Sequence, residues 1–586
     1  MPEPGRWKLD DLYNDYTDAD RDIRKLKDLM AGFEGFRDKL ESLNKKELAS
    51  ILQTLEKMHK LLDKLSNYAY LRFSEDTGSQ EASIFLTKIN ELESELESST
   101  FFFKAWWAKL EERRAISLEP ESEDFRHYLR LLKKRERYML SEEAEKAVSL
   151  KDLTASSGWV KLYEIVVSSF TYRLNVKGSY IKEDGRVKRF STAELLQYIY
   201  SDKRYLRKAA YDCLLAKYRD NANILAEIYS NVAKNWLNEQ VKLRHFSKPI
   251  SARNFMNDVS DEAVDALLSS CSENADVFHE YFRIKGKMLG IRMSRYDIYA
   301  PLNQEAKKYT FEEAAKLVLG AFKAFDPKFA ELAKRVYDSG HIDYTVRQRK
   351  YSGAYCSSPG VGATPYIMMN FNGSMKDIYT LAHESGHAVH SQLAMKHSQL
   401  TFHSPLVLAE TASVFGEMLL YDSLSSKMNA AILSERLSQL YSTIQRQAYI
   451  SIFEQKAFEL IDNSATYQKL CDTYMQKLKE QLGPSVSVPR IFSYEWLYIP
   501  HIFKTPFYCY SYAFGNLLAL SLFRLYKEEG RSFVPNYLRI LSYGGSAEPA
   551  KILHEAGIEI ESESFWRGGF RIIEDMISGL KNMALN

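Results

Sequence analysis

Apolar residues recur at three- and four-residue intervals along much of the chain. From Ile23 they fall at Leu26, Leu29, Met30, Phe33, Phe36 and Leu40. After a break at residues 42–45 they resume at Leu48, Ile51, Leu52, Leu55, Met58, Leu61, Leu62, Leu65 and Tyr68. This spacing predicts an amphipathic helical hairpin whose apolar face packs into a core. Helical patterning continues to about residue 155. Residues 171–191 alternate instead, and Asp184-Gly185 marks a turn, so a β-hairpin is expected there. Helices return from Thr192. A soft boundary near residue 195 divides a mostly helical N-terminal region, 1–195, from the remainder, 196–586. Two further short strands are expected at 341–346 and 365–371. The fold class is mainly α with a small β element.

Composition narrows the function. Of 586 residues, 45% are hydrophobic and 27% charged, as in globular proteins. Net charge is +2, so no broad electropositive surface for nucleic acid is implied. The five cysteines are widely spaced and form no CxxC, which argues against a disulfide framework or a thiolate zinc site. The first residues lack a basic segment followed by an apolar one. The apolar stretch 513–526 contains Asn516, Ser521 and Arg524 and is too short and polar to span a bilayer. A soluble cytoplasmic protein without membrane partners is expected.

Five of the twelve histidines lie between His383 and His403. Ser374 is a good helix N-cap, Asp377 suits the first turn, and Ile378, Leu381, Ala382 and Val389 form an apolar stripe. His383 and His387 then project from one helical face, one turn apart, where two imidazoles can hold one zinc ion. Glu384 stands beside them, free to act as a base without ligating. This is HExxH, the zinc-hydrolase signature. A catalytic zinc needs a third protein ligand. His390 is seven residues from His383, about 10.5 Å along a helix, so it suits a supporting or alternative role. Ser404 and Pro405 read as the start of a second helix, on which Glu410 can complete a His2Glu set. Glu417, seven residues on, or Ser413 would then orient a ligand. Leu406, Leu408, Val414 and Phe415 crowd this segment, favouring buried glutamates over solvated ones.

Two further segments border this chemistry. His501 is followed by Pro506, Tyr508, Tyr510 and Tyr512, which read either as an aromatic core or as hydrogen-bond donors for a developing oxyanion. The glycine-rich stretch 353–362 reads as a loop with no phosphate-binding lysine. The strand expected after it, 365–371, would offer an edge for an extended peptide.

The segments HESGHAVH, ETASVFGE and PHIFKTPFYCYSYAFG resemble the thimet-oligopeptidase/oligoendopeptidase F family of zinc peptidases. Weaker likenesses fall at residues 7–13, at Tyr296-Asp297 with Ala300-Pro301, and at 353–356. The resemblance is strongest over about 200–580. It implies a two-lobed, helical, zincin-type metallopeptidase with a deep central channel that admits short peptides. It implies one zinc ion per chain on His383, His387 and Glu410, with Glu384 as general base and acid for a metal-activated water. His501 matches the family's transition-state histidine. Tyr508 and Tyr512 are the favoured oxyanion donors, and Gly353, Ala354, Tyr355 and Tyr510 the candidate substrate-binding residues. The expected activity is internal cleavage of oligopeptides. The rivals are a zinc carboxypeptidase and a non-catalytic peptide-binding protein. A purely structural zinc site usually closes with four ligands, often Cys, and no Cys lies within the motif.

Overall fold

The helical hairpin forms as the spacing predicts. In the computed structural model, which describes residues 5–302, 307–425 and 428–585, helices span Tyr16–Glu34, Lys45–Glu75 and Gln80–Lys109. The break between the first two is a 3-10 turn, Arg37–Ser42. The second helix then starts on a capping box in which Asn44 and Glu47 bond each other's backbone N–H. Leu26, Phe33, Leu48, Ile51, Leu52, Leu55 and Leu65 are fully buried, each side chain contributing about 1.5–3 kcal/mol by leaving water.

Two compact units partition the chain. One contains Met1–Arg137, Ala306–Ser426 and Leu525–Ile558; the other contains Tyr138–Glu305, Lys427–Arg524 and Glu559–Asn586. Both are discontinuous, so they do not coincide with a 1–195/196–586 division. Interleaved segments that meet only in space leave no linker in the sequence.

The first unit holds a three-stranded sheet. Tyr366–Met368 is its central strand, parallel to Ile342–Asp343 and antiparallel to Tyr355–Ser357. The segment expected to be an open edge is therefore the middle strand. Its Ile367 and Met369 N–H groups donate to the His341 and Asp343 carbonyls, both at 2.9 Å. The free edge belongs to Tyr355–Ser357, within the stretch read as a loop. Alternation sends Tyr366 and Met368 into the helical core of Tyr16–Lys109, while Ile367 and Ile342 face Val336 and Ala388 on the other side. Asp343, fully buried, fastens the strands. Arg347 and Lys350 each reach its carboxylate at 2.7 Å, and Lys350 Nζ also donates to the Met369 carbonyl at 2.6 Å.

The second unit is built on helices such as Arg204–Asp220, Ala222–Trp236 and Arg446–Asp462. Buried ion pairs, Arg295–Glu495 and Arg207–Asp297, lock its interior. Residues 171–191 form two small hairpins rather than one: Asn175–Val176 with Ser179–Tyr180, and Lys182–Glu183 with Arg186–Val187. Both use two-residue turns with positive φ, at Lys177-Gly178 (52° and 87°) and Asp184-Gly185 (49° and 77°). A bridge between Tyr172 and Phe190 closes the ends. Among the described residues, no helix is long and apolar enough to cross a membrane.

Candidate active site

The HExxH segment lies on the helix Met375–Leu393. Ser374 caps it, accepting from the Asp377 N–H, and Asp377 accepts from the Ser374 N–H in return. The helix Leu406–Leu424 crosses it closely, because glycines sit at the crossing. A Cβ on Gly386 would stand 2.3 Å from the Ala412 carbonyl oxygen, and one on Gly416 would stand 3.1 Å from that of Ala382. With the backbones this near, side chains from the second helix reach the histidines. Pro405 rather than Ser404 precedes the helix as its cap residue. The Ser404 hydroxyl instead pairs with His390 Nε2 at 2.9 Å.

Three ligand atoms converge. Glu410 Oε2 lies 3.3 Å from His383 Nε2 and 3.8 Å from His387 Nε2. The ligand atoms of His383, His387 and Glu410 all lie within 4.8 Å of one another. A tetrahedral metal bound at about 2.0–2.2 Å holds its ligands about 3.3–3.6 Å apart, so this set fits such an ion. Each donor is also held from behind. His383 Nδ1 meets Glu417 Oε1 at 2.6 Å, His387 is aimed at the Ala409 carbonyl, and Ser413 Oγ donates to Glu410 Oε2 at 2.8 Å. His390 is buried against Ser404 and is not among the converging donors. It forms cavity wall, and an alternative-ligand role for it does not fit.

The electrostatics are those of a cation site. Burial opposes charge on His383, but the Glu417 hydrogen bond and the Glu410 and Glu384 carboxylates carry its pKa up to about 10. Burial and the neighbouring His383 hold His387 down, to about 4, despite Glu410. Glu384 is buried, which pushes its carboxyl up to about 7. Glu410 and Glu417 push the same way, against His383 and the Cys356 backbone N–H. Among the described residues, no Lys or Arg lines the adjoining cavity of 450 Å³, whose walls include Cys356, Ser358, His390, Ser391 and Phe402.

The edge strand borders this cavity through Ala354, Tyr355 and Cys356. Gly353 does not line it, and its carbonyl accepts from Asn370. The Tyr355 ring turns away, onto Tyr70 at 5.1 Å and Tyr351 at 5.8 Å. Cys356 is the strand residue that faces Glu384. Sequence reasoning placed Cys356 near the site, in a segment read as loop, and did not foresee that it would lie on a strand beside Glu384.

In the second unit, His501 lies on the short helix Pro500–Lys504 and Tyr512 on the helix Tyr510–Glu529. Tyr508 lies in the connection between them. The three rings cluster, with centroids 6.4 Å (His501–Tyr508), 5.9 Å (His501–Tyr512) and 5.2 Å (Tyr508–Tyr512) apart. All three are half-buried. Burial, with Arg446 and Lys504, lowers the His501 pKa and favours the neutral ring. Tyr510 points the other way. It is fully buried and its hydroxyl accepts from Asn257 Nδ2 at 2.8 Å, which removes it from the substrate-binding set.

Comparison with known proteins agrees with this constellation. The pattern of peptidase family M3 matches residues 197–572, and that of oligopeptidase F matches 109–172. Oligopeptidase PepF of Bacillus subtilis is 25% identical over 598 residues, covering 99% of this chain and 87% of its own. The oligoendopeptidase F homolog of Borreliella burgdorferi is 27% identical over 91% of each chain. A crystallised protein of Chlamydophila abortus superposes with a TM-score of 0.85 at 25% identity, over 99% of this chain and 98% of its own. With a family pattern spanning 197–572 around the HExxH helix, the chain belongs to peptidase family M3, alongside the oligoendopeptidase F proteins.

Proposed function

We propose that the protein is a zinc-dependent endopeptidase of short peptides, with one zinc ion on His383, His387 and Glu410. The observation that carries this reading is the convergence of two Nε2 atoms and one carboxylate oxygen, with the buried Glu384 next in sequence to His383 and outside that set. Two imidazoles and a carboxylate leave a fourth position open, as catalytic zinc requires. When bound, the zinc supplies Lewis acidity and makes water nucleophilic at neutral pH.

The protein's own groups do the rest. An extended peptide lies along the free edge of Tyr355–Ser357, with the Cys356 N–H directed at Glu384. This replaces the pairing expected at 365–371. Glu384 takes the proton of the attacking water and delivers it to the leaving amine, the role of a positioned general base and acid. Neutral His501 and the hydroxyls of Tyr508 and Tyr512 donate to the oxygen that gains charge. Glu417 holds the His383 tautomer with Nε2 free. The five cysteines are unpaired, in keeping with a reducing, cytoplasmic setting.

Peptides acetylated at the N-terminus and amidated at the C-terminus test the reading. An endopeptidase cuts such substrates internally. Cleavage confined to peptides with a free C-terminus identifies a carboxypeptidase, and peptide binding with no cleavage identifies a binding protein; either outcome refutes the proposal.

A further inference from the structure

The connection from His501 to Tyr512 carries an unusual backbone. Thr505 N–H donates to the His501 carbonyl at 2.9 Å and Tyr508 N–H to that of Thr505 at 3.2 Å, so residues 505–508 form a tight turn. Within it Phe507 has φ of +59°. For a bulky residue this left-handed conformation costs about 1–2 kcal/mol and persists only where the surroundings impose it.

Three side chains surround it. Arg253 Nε donates to the Pro506 carbonyl at 3.0 Å. Glu454, on the helix Arg446–Asp462, is fully buried, with its carboxyl in the neighbourhood of the Phe507 backbone N–H. The Phe507 ring is trapped 4.6 Å from Phe458. One turn beyond Arg253, Asn257 Nδ2 donates to the Tyr510 hydroxyl at 2.8 Å and to Ser511 Oγ at 3.2 Å. Tyr508 is thus bracketed, with residues 506 and 507 fixed before it and 510 and 511 after it. Its own half-buried side chain is left to face His501 and Tyr512.

Glu454 is costly for stability alone. Neither of its carboxyl oxygens has a hydrogen-bond partner. The groups around it are Arg253, the Tyr229 hydroxyl, the Cys509 thiol and the Phe507 N–H. A well-packed apolar residue would be cheaper there. We propose that Glu454 and Arg253 are positioning residues for the reaction: they hold the turn at Pro506 and Phe507 and so fix where the Tyr508 hydroxyl stands. This rests on the reading of Tyr508 as an oxyanion donor.

A double-mutant cycle tests it, read as kcat and KM on one blocked peptide. Tyr508→Phe lowers kcat. Glu454→Leu lowers kcat by about 10–100-fold, since a donor displaced by about 1 Å loses most of its contribution, with KM within about twofold. In the Tyr508→Phe background Glu454→Leu costs nothing further, because the group it positions is gone. Glu454→Gln keeps a polar side chain of the same shape beneath the Phe507 N–H and leaves kcat within about twofold of the parent. If Glu454→Leu does not fold, Arg253→Met carries the same cycle. Losses that add in full, or no loss on Glu454→Leu, overturn the positioning role. An unchanged kcat in Tyr508→Phe overturns the donor reading instead and leaves the two failures distinct.

Discussion

Glu417 Oε1 stands 2.6 Å from His383 Nδ1. The contact fixes which nitrogen of His383 faces Glu410, and it comes from a residue seven positions, two helical turns, beyond Glu410 on the same helix. Glu417 therefore acts on metal affinity rather than on the reaction directly. Glu417→Ala is expected to weaken zinc binding by about 10–100-fold, read by competition against a chromophoric chelator. An unchanged affinity would show that His383 is oriented by something else.

The crossing at Gly386 makes a sharper claim about packing. A Cβ there collides with the Ala412 backbone oxygen at 2.3 Å, and a backbone atom cannot swing aside. Gly386→Ala should force the helices apart, costing about 1–3 kcal/mol and lowering zinc affinity with it. Gly320, inside the helix Phe311–Phe325, meets nothing within 4 Å. Gly320→Ala should gain about 0.5–1 kcal/mol from helix propensity. Paired melting curves and chelator titrations compare the two. Equal effects would contradict the close crossing.

Glu454 gives a pH dependence with a definite sign. Burial pushes its carboxyl up to about 8 from an ordinary 4.5, against Phe507 and Arg253. The folded state thus binds this proton more tightly than the unfolded chain. Its contribution is fully present below 4.5 and is lost as pH rises toward 8. Glu454→Gln removes the titration, so its melting temperature should gain on the parent's between pH 5 and pH 8 and then level off. A difference that stays constant across that range would contradict the assignment.

Much of the first unit was legible because its signals are local. The helical hairpin follows from spacing, and HExxH with Glu410 and Glu417 follows from helical periodicity in two apolar segments. What escaped was set by tertiary contact. Tyr355–Ser357 is only three residues long and sits among Gly353, Ser358 and Gly360, so it reads as loop until Tyr366–Met368 pairs with it. The hairpin that pairs Asn175–Val176 with Ser179–Tyr180 depends on Lys177 adopting positive φ, which lysine does not advertise. Tyr510 and Tyr508 look alike in sequence, and only Asn257, more than 250 positions away, separates the buried from the half-exposed ring. Glu454 sits in an ordinary helical pattern, and its burial is visible only once Phe507 is placed over it.

The central claim is that Glu384 moves the protons of peptide hydrolysis beside a metal held by His383, His387 and Glu410. Its most direct test is mass spectrometry of a mixed set of short peptides incubated with the parent protein and with Glu384→Gln, with zinc content measured on both. The account predicts internal cuts by the parent and one zinc ion per chain in each protein. It also predicts turnover lowered by about 10²–10⁴-fold in the variant. Near-parent cleavage by Glu384→Gln with its zinc in place would contradict it.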